Sequence, residues 1–398
     1  MKFNGKISIA VIIILYISAI TLFTTCDISS PFVDEIQGKI DTDTIPTYTV
    51  TYNANGATGG IVPASQTKTE NIDLILASNS GNLVRTGYTF TGWNTTANGS
   101  GTDYAEGAHY TTNAAVTLYA KWTIVDMTSP NIGLLKVVPA GSFQRDSDAA
   151  NISVITTPFH ISEHEITRAQ FELIMGVGTD PSDESYSSGT GDPVQKVNWY
   201  HAIAFCNKLS IAESLDQVYS VSGVDFSSLT FAEIPTSSNS TWDAATADWS
   251  ANGYRLPTEM EWMWAAMGAI DDYTKPFAGS DGSNSIGYYA VFGYNGSETG
   301  KTTTERSNPV GSKLPNELGL YDMSGNVWEW NWDWYSSSYP AGTIYSDTAG
   351  GRGAASGASR VERGGSWSYD ASFCTVAFRT YYYPYYLHYN IGFRVVRP

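Results

Sequence analysis

The chain has 398 residues, which is enough for two or three domains with sizeable cores. It carries 39 acidic and 22 basic residues, for a formal charge of -17, which argues against nucleic-acid binding because such proteins need a basic face. Only 15% of the residues are charged, whereas Gly, Ser, Thr, Asn and aromatic residues are abundant. This composition is typical of exported proteins rich in strands and loops.

The first 26 residues have the parts of a secretion signal. Two lysines precede an apolar run over residues 7–23, and small residues lead into Cys26. A cysteine at this point resembles the lipobox of bacterial lipoproteins, in which it becomes the lipidated N-terminus. We therefore predict a lipoprotein signal peptide over residues 1–26, lipidation of Cys26, and export to a bacterial membrane, at the outer membrane or cell surface. An uncleaved membrane anchor is the alternative.

Residues 27–46 are polar, lack a sustained period and are predicted to form a tether. Residues 47–123 contain three strand-like segments, Tyr48–Tyr52, Gly87–Trp93 and Val116–Trp122. Their motifs resemble those of the Listeria–Bacteroides repeat, or internalin B-repeat: V-T-Y/F-x-x-N-G, G-Y-x-F-x-G-W and L-Y-A-x-W. The resemblance implies a small β-grasp module that acts as a spacer or adhesion unit.

Residues 128–398 are predicted to form one further domain. Its first elements are a strand and turn at residues 134–143, a helix start at 165–171, and a strand leading into an amphipathic helix at 193–209. The helix is expected because apolar residues recur near the helical period in its second half.

Several motifs in this domain stand in the order found in one family. They are P-V-x-x-V-x-W, Y-R-L-P-T-E-x-E-W, G-L-x-D-M-x-G-N-V-W-E-W, R-G-G-S-W and G-F-R, beginning at Pro193, Tyr254, Gly319, Arg363 and Gly392. The set resembles the formylglycine-generating-enzyme family, also called the sulfatase-modifying-factor domain. The resemblance implies an α+β, C-type-lectin-like fold with short twisted strands, two helices and long loops.

The oxidases of this family bind copper through two cysteines that follow R-G-G-S-[WY], separated by four residues. On this sequence the second cysteine falls on Cys374 and the first on Tyr369, and a phenol cannot replace a thiolate in a Cu(I) site. We therefore predict that the oxidase chemistry is lost, with no catalytic residues and no catalytic cofactor. Cys374 is then expected to be structural or disulfide-bonded, with a reactive thiol as the alternative; Cys206 is a candidate partner, but the sequence does not establish the pairing.

The resemblance also implies a structural calcium site around residues 322–329. By position, Asp322 and Glu329 would supply carboxylate oxygens, and Gly325 and Val327 would supply backbone carbonyls. Hard oxygen donors of this kind suit Ca²⁺. The alternative is a turn whose carboxylates cap local backbone amides.

The segment at residues 360–396 has an unusual composition, with seven tyrosines between Ser368 and Asn390. A buried strand would favour Val, Ile and Leu, and every buried phenol would need a partner. Tyrosine mixed with Ser, Asp, Asn and His is instead typical of binding surfaces. An aromatic core in a loop-rich domain is the alternative. The predicted ligand-binding residues are Tyr369, Asp370, Ser372, Phe373, Phe378, Tyr381, Tyr382, Tyr383, Tyr385, Tyr386, His388, Tyr389 and Asn390.

The same segment resembles the variable regions of proteins diversified by retroelements, among them a spirochaete lipoprotein. In these systems error-prone copying changes the adenines of Asn codons. The resulting NNC codons cannot encode Lys, Gln, Glu, Met or Trp, and none of these occurs in residues 368–390. We therefore predict a surface-displayed lipoprotein with a diversified site for an unknown protein or glycan ligand. The alternatives are an envelope lipoprotein with a fixed glycan or protein ligand, and an enzyme related to the oxidases.

Overall fold

The computed structural model describes residues 45–280, 282 and 286–398. The predicted signal peptide, Cys26 and residues 27–44 of the predicted tether lie outside the described residues. Within the described ranges, none of the helices combines the length and the apolar character needed to span a bilayer.

The N-terminal module is built from seven strands, and no α-helix lies between residues 47 and 124. Five of the strands form a mixed sheet in the order β2-β1-β7-β4-β5, with β1 and β7 parallel at its centre. Val50, Trp93 and Leu118 fill the core of the module. The strands are β1 (Thr47–Asn53), β2 (Gln66–Thr69), β3 (Leu74–Ile75), β4 (Tyr88–Asn94), β5 (Asp103–Tyr104), β6 (His109–Tyr110) and β7 (Val116–Ile124).

The rest of the chain combines short strands, short helices and long loops, which is the α+β architecture expected from the motifs. The helices are α1 (Arg168–Met175), α2 (Trp199–Ala212), α3 (Ser240–Asp243) and α4 (Glu259–Ala266). The strands are β8 (Met127–Ser129), β9 (Gly133–Val138), β10 (Gly141–Gln144), β11 (Ile152–Ile155), β12 (Phe159–Ser162), β13 (Tyr219–Ser220), β14 (Thr246–Ala247), β15 (Trp328–Trp334), β16 (Ile344–Tyr345), β17 (Arg360–Arg363), β18 (Thr380–Tyr382), β19 (Ile391–Gly392) and β20 (Val396–Arg397).

Helix α2 differs from the amphipathic helix that its spacing predicts. Its start is set by a capping box, in which Asn198 accepts from the backbone N–H of His201. Eleven of its residues are buried, because helix α1, strand β15 and surrounding loops cover almost every side of it. The strand predicted before it is reduced to a single bridge between Pro193 and Thr167, since Pro193 has no N–H to continue a ladder.

One sheet positions the tyrosine-rich segment. Its strand order is β18-β17-β15-β19, so the C-terminal strands flank the motif strand β15. The glycines after β17 then turn the chain inward: Gly365 has φ +79°, and a Cβ there would stand 2.5 Å from the Cys374 Sγ. This close approach explains why glycine is needed at the turn. Trp367 follows the turn and is 1% exposed.

Candidate ligand-binding site

The structure leaves most of the predicted ligand-binding residues partly accessible, on strand β18 and the loops beside it. Tyr381 lies on the opposite face of β18 from Tyr382, because neighbouring residues of a strand alternate. Tyr369, Tyr381, Tyr382 and Tyr383 are 37%, 49%, 38% and 51% exposed. Asp370 and Ser372 are also exposed. The half-buried members of the set are Phe373, Phe378, Tyr385, Tyr386, His388 and Tyr389. We call the surface formed by these twelve residues the tyrosine face.

Asn390 is the exception among the predicted contact residues, because it is 2% exposed. Its side-chain amide donates to the hydroxyls of Ser366 and Ser368 at 3.1 and 3.0 Å. Its carbonyl oxygen also contacts Nδ1 of His388. The prediction that Asn390 contacts ligand directly is therefore corrected: its amide satisfies buried polar groups and holds the turn beneath the face.

Ring stacking holds the tyrosine face in shape. The rings of Tyr382 and Tyr386 stack with centroids 4.0 Å apart, and Tyr381 stacks on Tyr335 at the same distance. Tyr389 stacks on Tyr186 with centroids 4.1 Å apart. Aromatic pairs in these geometries stabilise beyond the area that they bury. The rings are therefore held by their neighbours, which lowers the entropy lost on binding.

The backbone of the segment is tied to the start of helix α2. Lys196 N–H donates to the carbonyl of His388, and Trp199 N–H donates to the carbonyl of Pro384, both at 2.9 Å. The N–H of Tyr386 closes a turn onto the carbonyl of Tyr383. These bonds attach the loop that carries the tyrosines to the buried helix α2 and the residues just before it.

A buried charge cluster supports the other side of the segment. Glu259 is bound by Arg363 at 2.8 Å and by Arg379 at 2.6 Å. Although burial opposes ionisation, the two guanidinium charges lower the pKa of Glu259. Arg363 also donates to the carbonyls of Val376 and Phe378. The loop that carries Phe378 is thus fastened to helix α4.

Residues that the sequence did not identify complete the site. Tyr186 and Tyr335 stack beneath the face and had no local signal, since they lie far from it in sequence. Trp328 lies beside Tyr369, with ring centroids 5.7 Å apart, and Thr380 lies on β18. Trp328 was visible in the motif G-N-V-W-E-W, but only the pairing of the strands shows that it faces the tyrosines.

The two cysteines of the second domain do not form a disulfide with each other. Cys206 and Cys374 are both free and buried. Cys374 lies in a small apolar cluster with Phe292 and Ala290, and burial raises the pKa of its thiol to about 12. Tyr369, at the position of the family's other copper-binding cysteine, is partly exposed. The disulfide alternative is therefore excluded for this pair in the structure, and the Cys374 thiol is kept protonated.

The residues predicted to hold calcium form a different arrangement. Both oxygens of Glu329 accept from Arg394 at 2.7 Å, and Oε2 also accepts from the indole N–H of Trp262. Asp322 accepts from the N–H of Gly311 at 2.7 Å. Across the described ranges, no group of three or more His, Cys, Asp or Glu side chains is placed to hold a metal ion. Glu329 is therefore part of a buried ion pair with Arg394, while Asp322 Oδ1 has no hydrogen-bond partner among the described residues, and the calcium site stays a prediction.

Buried acids surround this ion pair. Burial, followed by the charges of Asp322 and Glu329, raises the pKa of Glu165 well above its ordinary value. Burial also raises the pKa of Asp322 to about 6. Arg394 thus compensates a cluster that would otherwise carry several buried negative charges.

Comparisons with known proteins agree with this geometry. Residues 126–398 match the family model of the sulfatase-modifying factor enzyme 1-like domain, and residues 48–121 match the Listeria-Bacteroides repeat domain. Treponema denticola variable protein 1 superposes with a TM-score of 0.61 at 36% identity, covering 69% of this chain and all of that one.

Curated relatives carry different names. The chaperone protein LppX of Paenibacillus barcinonensis is 33% identical over 210 residues, which are 51% of this chain and 72% of that protein. The formylglycine-generating enzyme of Thermomonospora curvata is 35% identical over 146 residues, which are 35% of this chain and 48% of the enzyme. The match thus spans about half of that enzyme. With the family model matching residues 126–398, the chain belongs to the family of sulfatase-modifying factor enzyme 1-like domains.

Proposed function

We propose that this protein is an exported lipoprotein that binds a protein or glycan ligand through the tyrosine face and does not act as an enzyme. The observation that carries the proposal is the presence of four partly exposed tyrosines within residues 369–383, in a segment anchored to the rest of the domain. Tyrosines bury a large area on binding and lose little entropy, because each has only two side-chain torsions.

The scaffold beneath the face supports this proposal. Stacked rings and backbone bonds to helix α2 hold the tyrosines before the ligand arrives. A surface prepared in this way needs less ordering at binding, so more of the contact energy appears as affinity. The exposed side chains of Asp370 and Ser372 would add hydrogen bonds, whose directional geometry favours particular ligands.

Two observations argue for binding rather than oxidase chemistry. A thiolate pair for copper would need a second cysteine where Tyr369 stands, and the thiol of Cys374 is buried and protonated. The relative with 36% identity over its full length is called a variable protein, whereas the formylglycine-generating enzyme of Mus musculus matches an equal share of this chain at 28% identity.

We further propose that residues 360–396 are diversified by a retroelement and that lipidated Cys26 displays the domain at the cell surface. The test is to sequence the DNA beside the gene and to search for a near-copy of the codons for this region. We expect mismatches only where the copy has adenine, mainly in Asn codons. The absence of such a copy and of a nearby reverse transcriptase would leave a fixed binding site instead.

Replacing Tyr381 and Tyr383 together by alanine should weaken ligand binding by about thirtyfold or more, because tyrosine is among the residue types that dominate interface energies. The measurement is the affinity of the protein for peptides selected against it from an unbiased displayed library. Tyr345→Ala is the matched control, since Tyr345 is 46% exposed but lies on β16, outside the tyrosine face. Peptides that respond to Tyr345→Ala and not to the double variant would contradict the proposed site.

A further inference from the structure

A small cavity opens within the tyrosine face. It has a volume of about 80 Å³, which is room for the end of a side chain and well below the size of a typical small-molecule pocket. Five of its six lining residues carry aromatic rings. The lining residues are Trp328, Tyr369, Phe373, Phe378, Thr380 and Tyr382.

Glu362 lies on the face of the sheet that carries this cavity, next to its lining residues in the strand register. In the sheet, Glu362 on β17 is paired with Trp330 on β15 and with Thr380 on β18. Residues paired across antiparallel strands share a face, and so do residues two apart along a strand. Glu362 therefore lies on the same face of the sheet as Trp328, Thr380 and Tyr382, which line the cavity.

Among the described residues, neither carboxyl oxygen of Glu362 has a hydrogen-bond partner, and both are buried. Neither arginine of β17 forms an ion pair or hydrogen bond with Glu362 among the described residues. Arg360 is held with its guanidinium 3.7 Å from the ring centre of Trp199 and 3.5 Å from that of Trp334. Arg363 points to the other side of the sheet, where it binds Glu259.

A buried carboxyl without a partner is unfavourable, and native structures keep such groups rarely. Burial raises the pKa of Glu362 well above its ordinary value, so the unoccupied protein favours the protonated carboxyl. The carboxyl would therefore become an anion only when a cation arrives and the proton is released to solvent. A cation entering the cavity would provide the missing partner.

We infer that this cavity binds a primary alkylammonium group, such as the end of a lysine side chain, with the rings around the cation and Glu362 beneath it. The inference rests on the proposed function of the tyrosine face and names the chemistry that the face recognises. Aromatic faces attract ammonium groups, and the attraction strengthens where water is excluded. A primary ammonium also has N–H groups that can donate hydrogen bonds to a carboxylate, whereas a quaternary ammonium has none. The net charge of -17 favours the approach of cationic ligands.

The test is ligand-observed NMR titration of the full chain with n-butylammonium, tetramethylammonium and 1-butanol at neutral pH. We expect saturable binding in the order n-butylammonium, tetramethylammonium, 1-butanol. Glu362→Gln should weaken n-butylammonium binding by about tenfold or more, because the charge-assisted bonds are lost while the shape is kept. Asp347→Asn removes a surface carboxyl outside the face and should change the affinity less than twofold.

Equal binding of 1-butanol and n-butylammonium, or unchanged binding in Glu362→Gln, would overturn the inference and leave Glu362 as a neutral buried acid. Tighter binding of tetramethylammonium would overturn the choice of a primary amine. Circular dichroism should show that Glu362→Gln is folded, and Phe378→Leu, which keeps the carboxyl but removes a ring, should weaken n-butylammonium binding severalfold.

The outcomes separate this inference from the proposed function. If n-butylammonium fails to bind while selected peptides still depend on Tyr381 and Tyr383, the result supports the proposed ligand-binding face and contradicts the ammonium site. If n-butylammonium binding depends on Glu362 while no selected peptide is affected by replacing Tyr381 and Tyr383, the result supports the ammonium site and contradicts the proposed ligand-binding face.

Discussion

Replacing Arg394 by methionine lowers the free energy of unfolding by about 3–5 kcal/mol. The guanidinium is fully buried and donates twice to Glu329 at 2.7 Å, and also to the carbonyls of Tyr321 and Ser162 at 2.9 and 3.2 Å. Without it, Glu329 would remain buried beside Glu165 and Asp322 with no compensating charge. The measurement is the shift of the urea midpoint at neutral pH, converted with the slope of the transition.

The controls for this prediction separate the ion pair from simple loss of a side chain. Lys121→Met breaks a surface ion pair in which the side chain of Lys121 is 36% exposed and that of Asp103 is 55% exposed. This variant should change the free energy of unfolding by less than about 1 kcal/mol. Combining Arg394→Met with Glu329→Gln should recover part of the loss, because the orphaned charge is removed. An Arg394→Met protein as stable as the wild type would show that Glu329 finds another partner.

Glu362→Gln becomes progressively more stable than the wild-type protein as the pH rises from 5 to 8. Burial raises the pKa of Glu362, so the folded wild type retains a proton that the unfolded chain has already released. The stability that the protonated carboxyl contributes is fully present below its pKa in the unfolded chain, and it is lost as the pH rises through its pKa in the folded protein. The difference should grow by about 1.4 kcal/mol for each pH unit within that window.

The measurement is a series of urea titrations of both proteins across this pH range. Glu165 and Asp333 also have raised pKa values through burial, but they titrate in both proteins and cancel in the difference. Glu184→Gln changes a side chain that is 88% exposed and should run parallel to the wild type. A constant difference between Glu362→Gln and the wild type would mean that folding does not raise the pKa of Glu362.

Sequence reasoning succeeded where a local pattern corresponds to a local structure. The segment at residues 134–143 forms strands β9 and β10, and the helix start at 165–171 becomes α1 after the capping residue Thr167. The character of helix α2 was wrong because periodicity records which residues are apolar. It does not record whether neighbouring elements also cover the polar side.

The largest departures involve polar residues whose partners are remote in sequence. Asn390 was expected at the surface, yet it bonds to Ser366 and Ser368 across a turn. Glu329, for which a calcium site stays a prediction, bonds to Arg394, sixty-five positions away in the chain. The charge and hydrogen-bonding capacity of a side chain can be read from its type, but its partner depends on the folded path of the chain.

The sequence by itself determined the family, the order of the motifs and the chemical character of the tyrosine-rich segment, because these depend on residue types and spacing. Only the tertiary structure decided which rings are exposed, that Trp328 and Thr380 join them, and that Glu362 lies unpartnered below them. These features depend on the pairing of β15, β17 and β18, which brings residues of three distant segments onto one face of a sheet. Burial and strand register are long-range properties, and no local pattern encodes them.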